Sequence, residues 1–390
     1  MKNLLPHLRL LMRYELRQMG SRPLYLFSIF LAPLLCILFF TTLMGEGLPT
    51  DMPVGIVDED NTATSRNIVR TMDAFQYTKI VAHYGTVAEA RDAMQRGKLY
   101  AFYYIPKGTT QEAVAGRQPT VSFYTNNAYL IAGSLLYKDL RTMSELANGA
   151  VGRSTLYAKG ATASQAMGFL QPIVIETHPI NNPWLNYSVY LCNTILPGVF
   201  MIFIFLTTIF SIGSELKNGT AQQWMRMADN HVWLALLGKL LPQTLLFFVL
   251  FAFYDVYMFR FLQFPCHCGL GIMLFSSLLT VVASQGFAAF LFGLFPTLRL
   301  ALSTASLWGV VSFSISGFSF PVMGMPLSLQ ALSALFPLRH YYLIYVNEAL
   351  NGYSMGYVWH AYLALLIFAL LPLLVLRRLR TALLHYKYLP

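Results

Sequence analysis

Residues 187–224 read YSVYLCNTILPGVFMIFIFLTTIFSIGSELKNGTAQQW. The stretch carries no charged side chain before Glu215, and about 20 consecutive apolar residues are enough for a helix to cross a bilayer. At Glu215 the sequence turns polar, and Lys217 follows two residues later. This border predicts a membrane-spanning helix that ends at an aqueous surface.

The remainder of the chain repeats this pattern. Other windows almost free of charge are 23–45, 261–298, 300–338 and 349–376, and a further one, 232–257, is interrupted only by Lys239 and Asp255. Only 11% of the residues are charged and 56% are hydrophobic, whereas soluble domains carry about 25% charged residues. The composition excludes an ordinary soluble enzyme and a disordered chain, and predicts an α-helical polytopic membrane protein with six transmembrane helices.

The window 300–338 is too long for one crossing, and three prolines interrupt it, at Pro321, Pro326 and Pro337. Irregular backbone is tolerated at membrane depth only where protein covers it. We therefore predict one span followed by a re-entrant, broken element. The predicted organisation is an amphipathic interfacial helix at 1–22, spans at 23–45, 185–213, 232–259, 269–295, 299–319 and 355–376, an external domain at 46–184, a cytoplasmic helix at 214–231, the broken element at 320–353, and a cytoplasmic tail at 377–390.

Basic residues predict the orientation, because short cytoplasmic loops are enriched in Lys and Arg. With both termini inside, the inner segments hold Lys2, Arg9, Arg13, Arg17, Arg22, Lys217, Arg226, Lys239, Arg299, Arg377, Arg378, Arg380 and Lys387, and the short outer segments hold only Arg260 and Arg339. The net charge of +10 is thereby explained by topology and anionic lipid, so nucleic acid is not an expected partner. The N-terminal basic segment is either an amphipathic surface helix or a simple positive flank.

The segment between the first two spans has a soluble composition. Strand patterns at 54–57, 78–82, 99–105 and 120–124 alternate with helix patterns at 62–75, 87–95 and 111–115, and a longer helical stretch covers 127–170. This alternation predicts an inserted external α/β domain.

Chemistry-bearing motifs are sparse. The acidic run Asp58-Glu59-Asp60 is a turn without a neighbouring nucleophile, and Cys266-His267-Cys268 lacks the ligand spacing of a structural zinc site. The sequence contains no glycine-rich phosphate-binding loop. We therefore predict no catalytic, metal or cofactor site in this chain, and any ATP would be hydrolysed by another subunit.

The segment Glu215-Leu-Lys-Asn-Gly-Thr-Ala-Gln-Gln-Trp224 resembles the E-x-x-x-G-T element of ABC-2 type transporter permeases, the membrane subunits of ATP-binding-cassette exporters. Other stretches agree in order along the chain, at 54–61, 182–198, 316–321 and 325–352. They resemble the subgroup that carries a large external domain after the first span. Trp224 stands where this family commonly has Leu, and no Thr-Pro follows it.

The resemblance implies a dimer of permeases, either two copies or two related chains, bound to separate cytosolic ATPase subunits that hold ATP and Mg²⁺. It also implies a bacterial inner membrane, in some relatives with a periplasmic adaptor and an outer-membrane channel. The residues that would couple the chain to the ATPase are Glu215, Lys217, Gly219, Thr220 and Trp224. The residues that would form an outer gate are Gly317, Phe318, Pro321, Pro326, Pro337, Arg339 and Glu348.

Spans two and five would line the path, with Phe200, Phe203 and Phe313 suited to an amphipathic or hydrophobic substrate, although aromatic residues are equally common in packing. Arg339 and Glu348 are expected to form an ion pair that holds the broken element. From spacing alone, 215–224 is as typical of an interfacial connector as of a coupling helix. The alternatives to an exporter subunit are a membrane-anchored receptor or scaffold, an ion-gradient-driven secondary transporter, and last a membrane-embedded enzyme.

Overall fold

The computed structural model describes residues 4–45, 47–183 and 185–385. Lys2 and Lys387, two of the predicted inner cations, and residues 46 and 184, the predicted limits of the external domain, lie outside that range. The chain forms two compact units. One comprises the flanking parts of the chain, up to Gly47 and from Ile180 onward, and the other comprises Leu48–Pro179.

The first unit is a helical bundle. Among the described residues it contains six helices that are long and apolar enough to span a membrane, which we number in chain order: Pro23–Leu43, Tyr187–Lys217, Val232–Phe261, Leu270–Leu294, Leu298–Ile315 and Met355–His385. The predicted class of polytopic helical membrane protein is confirmed. Span 1 contains a π-helical turn at Phe27–Leu31, and span 3 ends in another at Tyr257–Phe261.

Two further helices pack near the end of span 2. The N-terminal helix, Leu4–Ser21, crosses span 3 at Gly238, where an added Cβ would overlap the buried Leu11 side chain. A short connecting helix, Ala221–Met227, follows span 2, and the His7 ring lies 3.0 Å from its Met227 carbonyl oxygen. Close approach at a glycine lets the two helices pack backbone to backbone.

The predicted broken element is a series of short pieces between spans 5 and 6. A 3₁₀ turn at Val322–Gly324 and a helix at Leu327–Ser333 precede a helix at Pro337–Ile344, which runs directly into π-helical residues Tyr345–Leu350. Proline has no amide hydrogen to donate within a helix and is best accommodated in the first turn, where no such bond is needed. Pro321 and Pro326 accordingly precede their helices, and Pro337 begins one.

The two segments of the first unit that flank the insertion are joined directly. The amide of Tyr187 donates to the carbonyl of Gly47 over 3.2 Å. Gly47 has φ +81°, and a Cβ there would meet the side chain of Asn186 at 3.2 Å. A left-handed backbone and this crowding both favour glycine at the point where span 1 leads into the inserted domain.

The second unit is the predicted α/β domain. Its strands are β1 (Met52–Asp58), β2 (Thr78–His83), β3 (Ala101–Ile105) and β4 (Ser122–Thr125), in the sheet order β2-β1-β3-β4. β1 pairs in parallel with β2 and β3, and β4 is antiparallel to β3. The helices are α1 (Ala63–Met72), α2 (Val87–Gln95), α3 (Thr109–Val114), α4 (Leu130–Ala158) and α5 (Ala163–Leu170). The acidic run after β1 is structural, since Asp58 accepts from Ser65 over 2.7 Å at the start of α1.

One buried carboxylate stabilises this domain from α4. The Asp139 side chain is 6% exposed and its Oδ2 accepts from the Tyr77 amide and the Thr78 hydroxyl, each over 3.1 Å. Both donors lie at the start of β2, so Asp139 attaches the long helix to the edge of the sheet. Desolvation by burial raises the pKa of Asp139, and the two donors only partly offset this.

Candidate functional site

The turn after span 2 explains the spacing of the Glu-x-x-x-Gly-Thr motif. The Thr220 amide donates to the Glu215 carbonyl over 2.9 Å, and the Gly219 amide donates to Leu216 over 3.2 Å. These two bonds, with Gly219 at φ +70°, form the Schellman motif that commonly ends helices. The Thr220 hydroxyl also hydrogen-bonds the Glu215 carboxylate. Glu215 therefore both ends span 2 and begins the polar contacts described next.

A buried ion cluster lies behind this turn. The Lys239 ammonium is 2.7 Å from Glu15 Oε2 and 2.9 Å from Glu215 Oε1. All three side chains are only 1% exposed. We call Glu15, Lys239 and Glu215 the Glu–Lys–Glu cluster. Because each residue comes from a different element, the cluster joins the N-terminal helix, span 2 and span 3.

Neutral donors complete the coordination of the two carboxylates. Glu15 accepts from Ser211 over 2.9 Å and from Gln243 over 2.8 Å. Glu215 accepts from Gln18 over 3.0 Å and from Tyr14 over 3.4 Å. Buried charges are tolerated when they are paired and their remaining lone pairs are hydrogen-bonded.

Tyr14 remains a neutral donor in this cluster. Burial, reinforced by the adjacent Glu215 carboxylate, raises the pKa of Tyr14 above its usual value of 10.0. The phenol therefore keeps its proton at physiological pH and donates a hydrogen bond to Glu215.

The connecting helix contributes an aromatic side to the cluster. Trp224 is 1% exposed, and the Lys239 ammonium lies 4.9 Å from the centre of its ring. A desolvated cation over a tryptophan face gains about 2 kcal/mol. The opposite face of the turn and helix is exposed, including Lys217, Gly219 and Arg226. One face of this segment thus contacts the bundle interior while the other remains available to a partner.

Sequence reasoning identified part of this site. Glu215, Thr220 and Trp224 belong to it, whereas Lys217 and Gly219 lie on its exposed side. It missed the contributions of Glu15, Tyr14, Gln18, Ser211, Lys239 and Gln243. The available signal was a lysine inside an otherwise apolar span and a single acid on a basic helix.

Phe318, one of the residues assigned to an outer gate, contacts the start of span 2, at the end opposite the connecting helix. The Tyr190 hydroxyl donates to the Phe318 carbonyl, and the Phe318 ring packs edge-to-face on Phe313 at 6.4 Å between centroids. Gly317 has φ +104°, and Arg339 Nη1 donates to the Ser316 carbonyl over 3.3 Å. Arg339 thus stabilises the turn that ends span 5.

The predicted ion pair between Arg339 and Glu348 is wrong. In the part of the chain that the structure describes, Glu348 instead accepts the Tyr362 hydroxyl over 2.7 Å, and Tyr362 also bonds Ser276 over 2.8 Å. The two charged residues belong to one continuous helical segment, 337–350. Within it, Arg339 donates to the Ser316 carbonyl and Glu348 accepts a hydrogen bond from Tyr362, so the two side chains have different partners.

The aromatic residues assigned to the path occupy different environments. Phe200 is fully buried and packs edge-to-face on Phe251 and Tyr254 of span 3, at 5.2 and 5.4 Å between centroids. Phe203 and Phe313 are half-buried. Spans 2 and 5 approach closely, because a Cβ at Gly198 would overlap the Phe313 ring.

Comparisons with known proteins identify the family of the chain. Residues 23–377 match the family model described as ABC-2 family transporter protein. Two curated relatives, each named probable multidrug ABC transporter permease YbhR, from Escherichia coli strain K12 and from Escherichia coli O157:H7, are 23% identical over 186 residues. The aligned part covers 48% of this chain and 50% of each relative, so the chain spans about half the length of the curated relatives it matches. With a family match over most of its length and a bundle of six spans, this chain belongs to the ABC-2 family of transporter proteins and is a multi-pass ABC transporter membrane subunit.

Proposed function

We propose that this chain is the permease of an exporter that moves an amphipathic or hydrophobic compound outward, using ATP hydrolysed by separate ATPase subunits. The name of the E. coli relatives, multidrug permease, supports this class of cargo. The half-buried Phe203 of span 2 and Phe313 of span 5 provide suitable apolar surface, whereas Phe200 is buried against span 3. ATP and Mg²⁺ would be held by the partner ATPase.

The observation that carries the proposal is the Glu–Lys–Glu cluster beneath the connecting helix. We assign this helix as the coupling helix. Its exposed face, with Arg226, and the exposed Lys217 at the end of span 2 would contact the ATPase. A displacement of the helix acts through Trp224 and Glu215 on Lys239, and so on span 3 and the N-terminal helix. A salt-bridged, fully buried connection transmits displacement because the interior is close-packed and resists compression.

The proposed assembly contains a second permease, identical or related, in a bacterial inner membrane with both termini in the cytoplasm. The distribution of basic residues supports this orientation. With this orientation, the inserted domain and the broken element face outward. The broken element, with Gly317, Phe318 and Arg339, serves as the outer gate. A periplasmic adaptor and an outer-membrane channel would extend the route.

The test is a pull-down of the tagged chain in mild detergent, followed by mass spectrometry and an ATP-hydrolysis assay of the eluate. We expect a stoichiometric P-loop ATPase. Glu215→Ala should retain this partner but lower the hydrolysis rate. Glu112→Ala, the same substitution at an exposed glutamate of the inserted domain, is the matched control and should leave the rate unchanged.

The alternatives predict other outcomes. A receptor or scaffold would be recovered folded and without ATPase. A gradient-driven transporter would lose transport when an ionophore collapses the proton gradient, even with ATP present. Either result would contradict the exporter proposal.

A further inference from the structure

The loop between spans 3 and 4 places two thiols side by side. Cys266 Sγ and Cys268 Sγ are 3.8 Å apart, and both residues are half-buried. The Gly269 amide bonds the Cys266 carbonyl over 3.4 Å, and Gly269 has φ +81°. This turn directs the side chains at positions 266 and 268 toward each other. A disulfide requires 2.03–2.05 Å between sulfurs, so side-chain rotation and a small backbone shift would close the ring.

The environment makes one of these thiols nucleophilic. A hydrogen bond from Cys268, assisted by the positive charge of Arg260, lowers the pKa of Cys266 to about 7. The same interaction raises the pKa of Cys268. Thiolates rather than thiols attack disulfides. Cys266 is therefore suited to attack first and Cys268 to resolve the intermediate.

A metal ion is a less suitable partner for this loop. Among the residues that the structure describes, no group of three or more His, Cys, Asp or Glu side chains is arranged to hold a metal ion. Structural zinc sites use four protein ligands. The geometry thus supports chemistry between the two sulfurs.

The residue between the cysteines contacts the broken element. The His267 amide donates to the Ala349 carbonyl over 2.9 Å, at the end of the π-helical segment. The His267 side chain also lies against Gly352, where an added Cβ would be 3.3 Å from it. A change in the backbone at 266–268 therefore acts directly on residues 349–352.

We propose that Cys266 and Cys268 form a redox-active dithiol that closes to an intramolecular disulfide and thereby alters the contact of His267 with the broken element. The oxidant is a disulfide-bonded compound or protein. This inference goes beyond the proposed function, and uses it only to place the loop on the outer side, where disulfides persist.

The reaction is a pair of thiol–disulfide exchanges. The Cys266 thiolate attacks one sulfur of the oxidant and forms a mixed disulfide, and the other oxidant sulfur leaves as a thiolate. The Cys268 thiolate then attacks the Cys266 sulfur and releases the second oxidant sulfur. The permease loses two electrons and two protons, and the oxidant is reduced to two thiols.

The purified full chain provides the first test. It is equilibrated with oxidised or reduced glutathione, quenched with an alkylating reagent and mapped by peptide mass spectrometry. We expect oxidation to protect Cys266 and Cys268 from alkylation through a disulfide within one peptide, and dithiothreitol to reverse this. Cys268→Ser should trap glutathione on Cys266. Cys266→Ser should react roughly threefold more slowly at pH 7, because an ordinary thiol with a pKa of about 8.5 is only a few per cent thiolate, and its higher intrinsic nucleophilicity offsets part of this loss.

Three results would overturn the dithiol. They are alkylation of both cysteines after oxidation, glutathione retained on Cys266 in the unsubstituted protein, and a disulfide between two chains.

The second test measures amide hydrogen exchange over residues 345–352. We expect oxidation to change exchange in the unsubstituted protein and not in Cys268→Ser, which cannot close the ring. Equal exchange in both redox states would overturn the coupling to the broken element. A membrane-impermeant thiol reagent applied to intact cells reports the side of the membrane. Labelling of Cys266 only after lysis would contradict the outward placement, and with it the topology of the proposed exporter.

Discussion

The ammonium of Lys239 rests 4.9 Å from the centre of the Trp224 ring. This contact joins a membrane span to the short helix that we propose as the receiver of the ATPase stroke. Because both side chains are almost completely buried, neither water nor lipid can take the place of Trp224 beside Lys239, or of Lys239 beside Trp224.

Replacement of Trp224 by Ala should weaken both stability and coupling. Truncation of a buried tryptophan costs about 3–5 kcal/mol, and the Lys239 cation also loses its aromatic partner. Trp224→Phe keeps a ring and should retain most transport. The measurements are the thermal unfolding midpoint and ATP-dependent transport in vesicles. Trp359→Ala, at a tryptophan that is 61% exposed, is the control, and an equal loss there would contradict the assignment.

Removal of the cation of the Glu–Lys–Glu cluster should lower the unfolding midpoint more than removal of all three charges. Lys239→Met leaves two buried carboxylates without their counter-ion, which costs about 3–5 kcal/mol. Adding Glu15→Gln and Glu215→Gln to the same chain should restore most of the unfolding midpoint, because amides keep acceptors for the neighbouring donors. Lys217→Met, at an exposed lysine, should leave the unfolding midpoint unchanged. If the single and triple variants melt alike, the cluster does not stabilise the fold as described.

Substitutions of Gly219 should distinguish an effect on coupling to the ATPase from an effect on folding. Proline cannot adopt φ +70° and cannot supply the amide that bonds Leu216, so Gly219→Pro should displace the connecting helix while the spans stay folded. Asparagine tolerates the left-handed region, and open space surrounds this position, so Gly219→Asn should behave almost normally. Cargo-stimulated ATP hydrolysis and circular dichroism report the two properties. Normal stimulation in the proline variant would count against the coupling assignment.

The inserted domain should show a pH dependence that originates at Asp139. Burial raises the pKa of this carboxyl in the folded state, so the folded domain binds the proton more tightly than the unfolded chain does. Its stability should therefore fall as pH rises from about 4, the unfolded value, through the raised folded value. Asp139→Asn keeps an oxygen acceptor and should abolish this slope.

The measurement is hydrogen exchange in the full chain over residues 76–79, which include the Tyr77 amide donor. Asp139→Ala leaves both donors without their acceptor and should speed exchange at every pH. A pH slope that persists in Asp139→Asn would assign the effect to another group.

Local patterns were sufficient for most of the elements and for a third of the site residues. Charge-free windows are long enough to be counted, and the Glu-x-x-x-Gly-Thr spacing predicts a helix end because Gly219 suits the left-handed position. The contact of Glu15 with Lys239 joins residues 224 positions apart. It depends on how the N-terminal helix crosses Gly238, which no local pattern specifies.

In the broken element, by contrast, the sequence failed to predict the local backbone conformation. Pro321, Pro326 and Pro337 mark where the short helices begin, but the π-helical stretch Tyr345–Leu350 carries no recognisable sequence signal. The sequence predicted an ion pair between Arg339 and Glu348. A continuous helix separates them, and the partner of Glu348 is a tyrosine of span 6.

The hydrogen bond between Gly47 and Tyr187 has an engineering consequence. The points at which the polypeptide leaves and re-enters the bundle are already adjacent, so the inserted unit between them, the 132 residues Leu48–Pro179, is topologically a cassette. A short linker could replace the cassette, or another folded module with neighbouring termini could be grafted there, without rerouting any span. The same adjacency would allow such permeases to gain, lose or exchange these modules during evolution while the transport machinery is inherited intact.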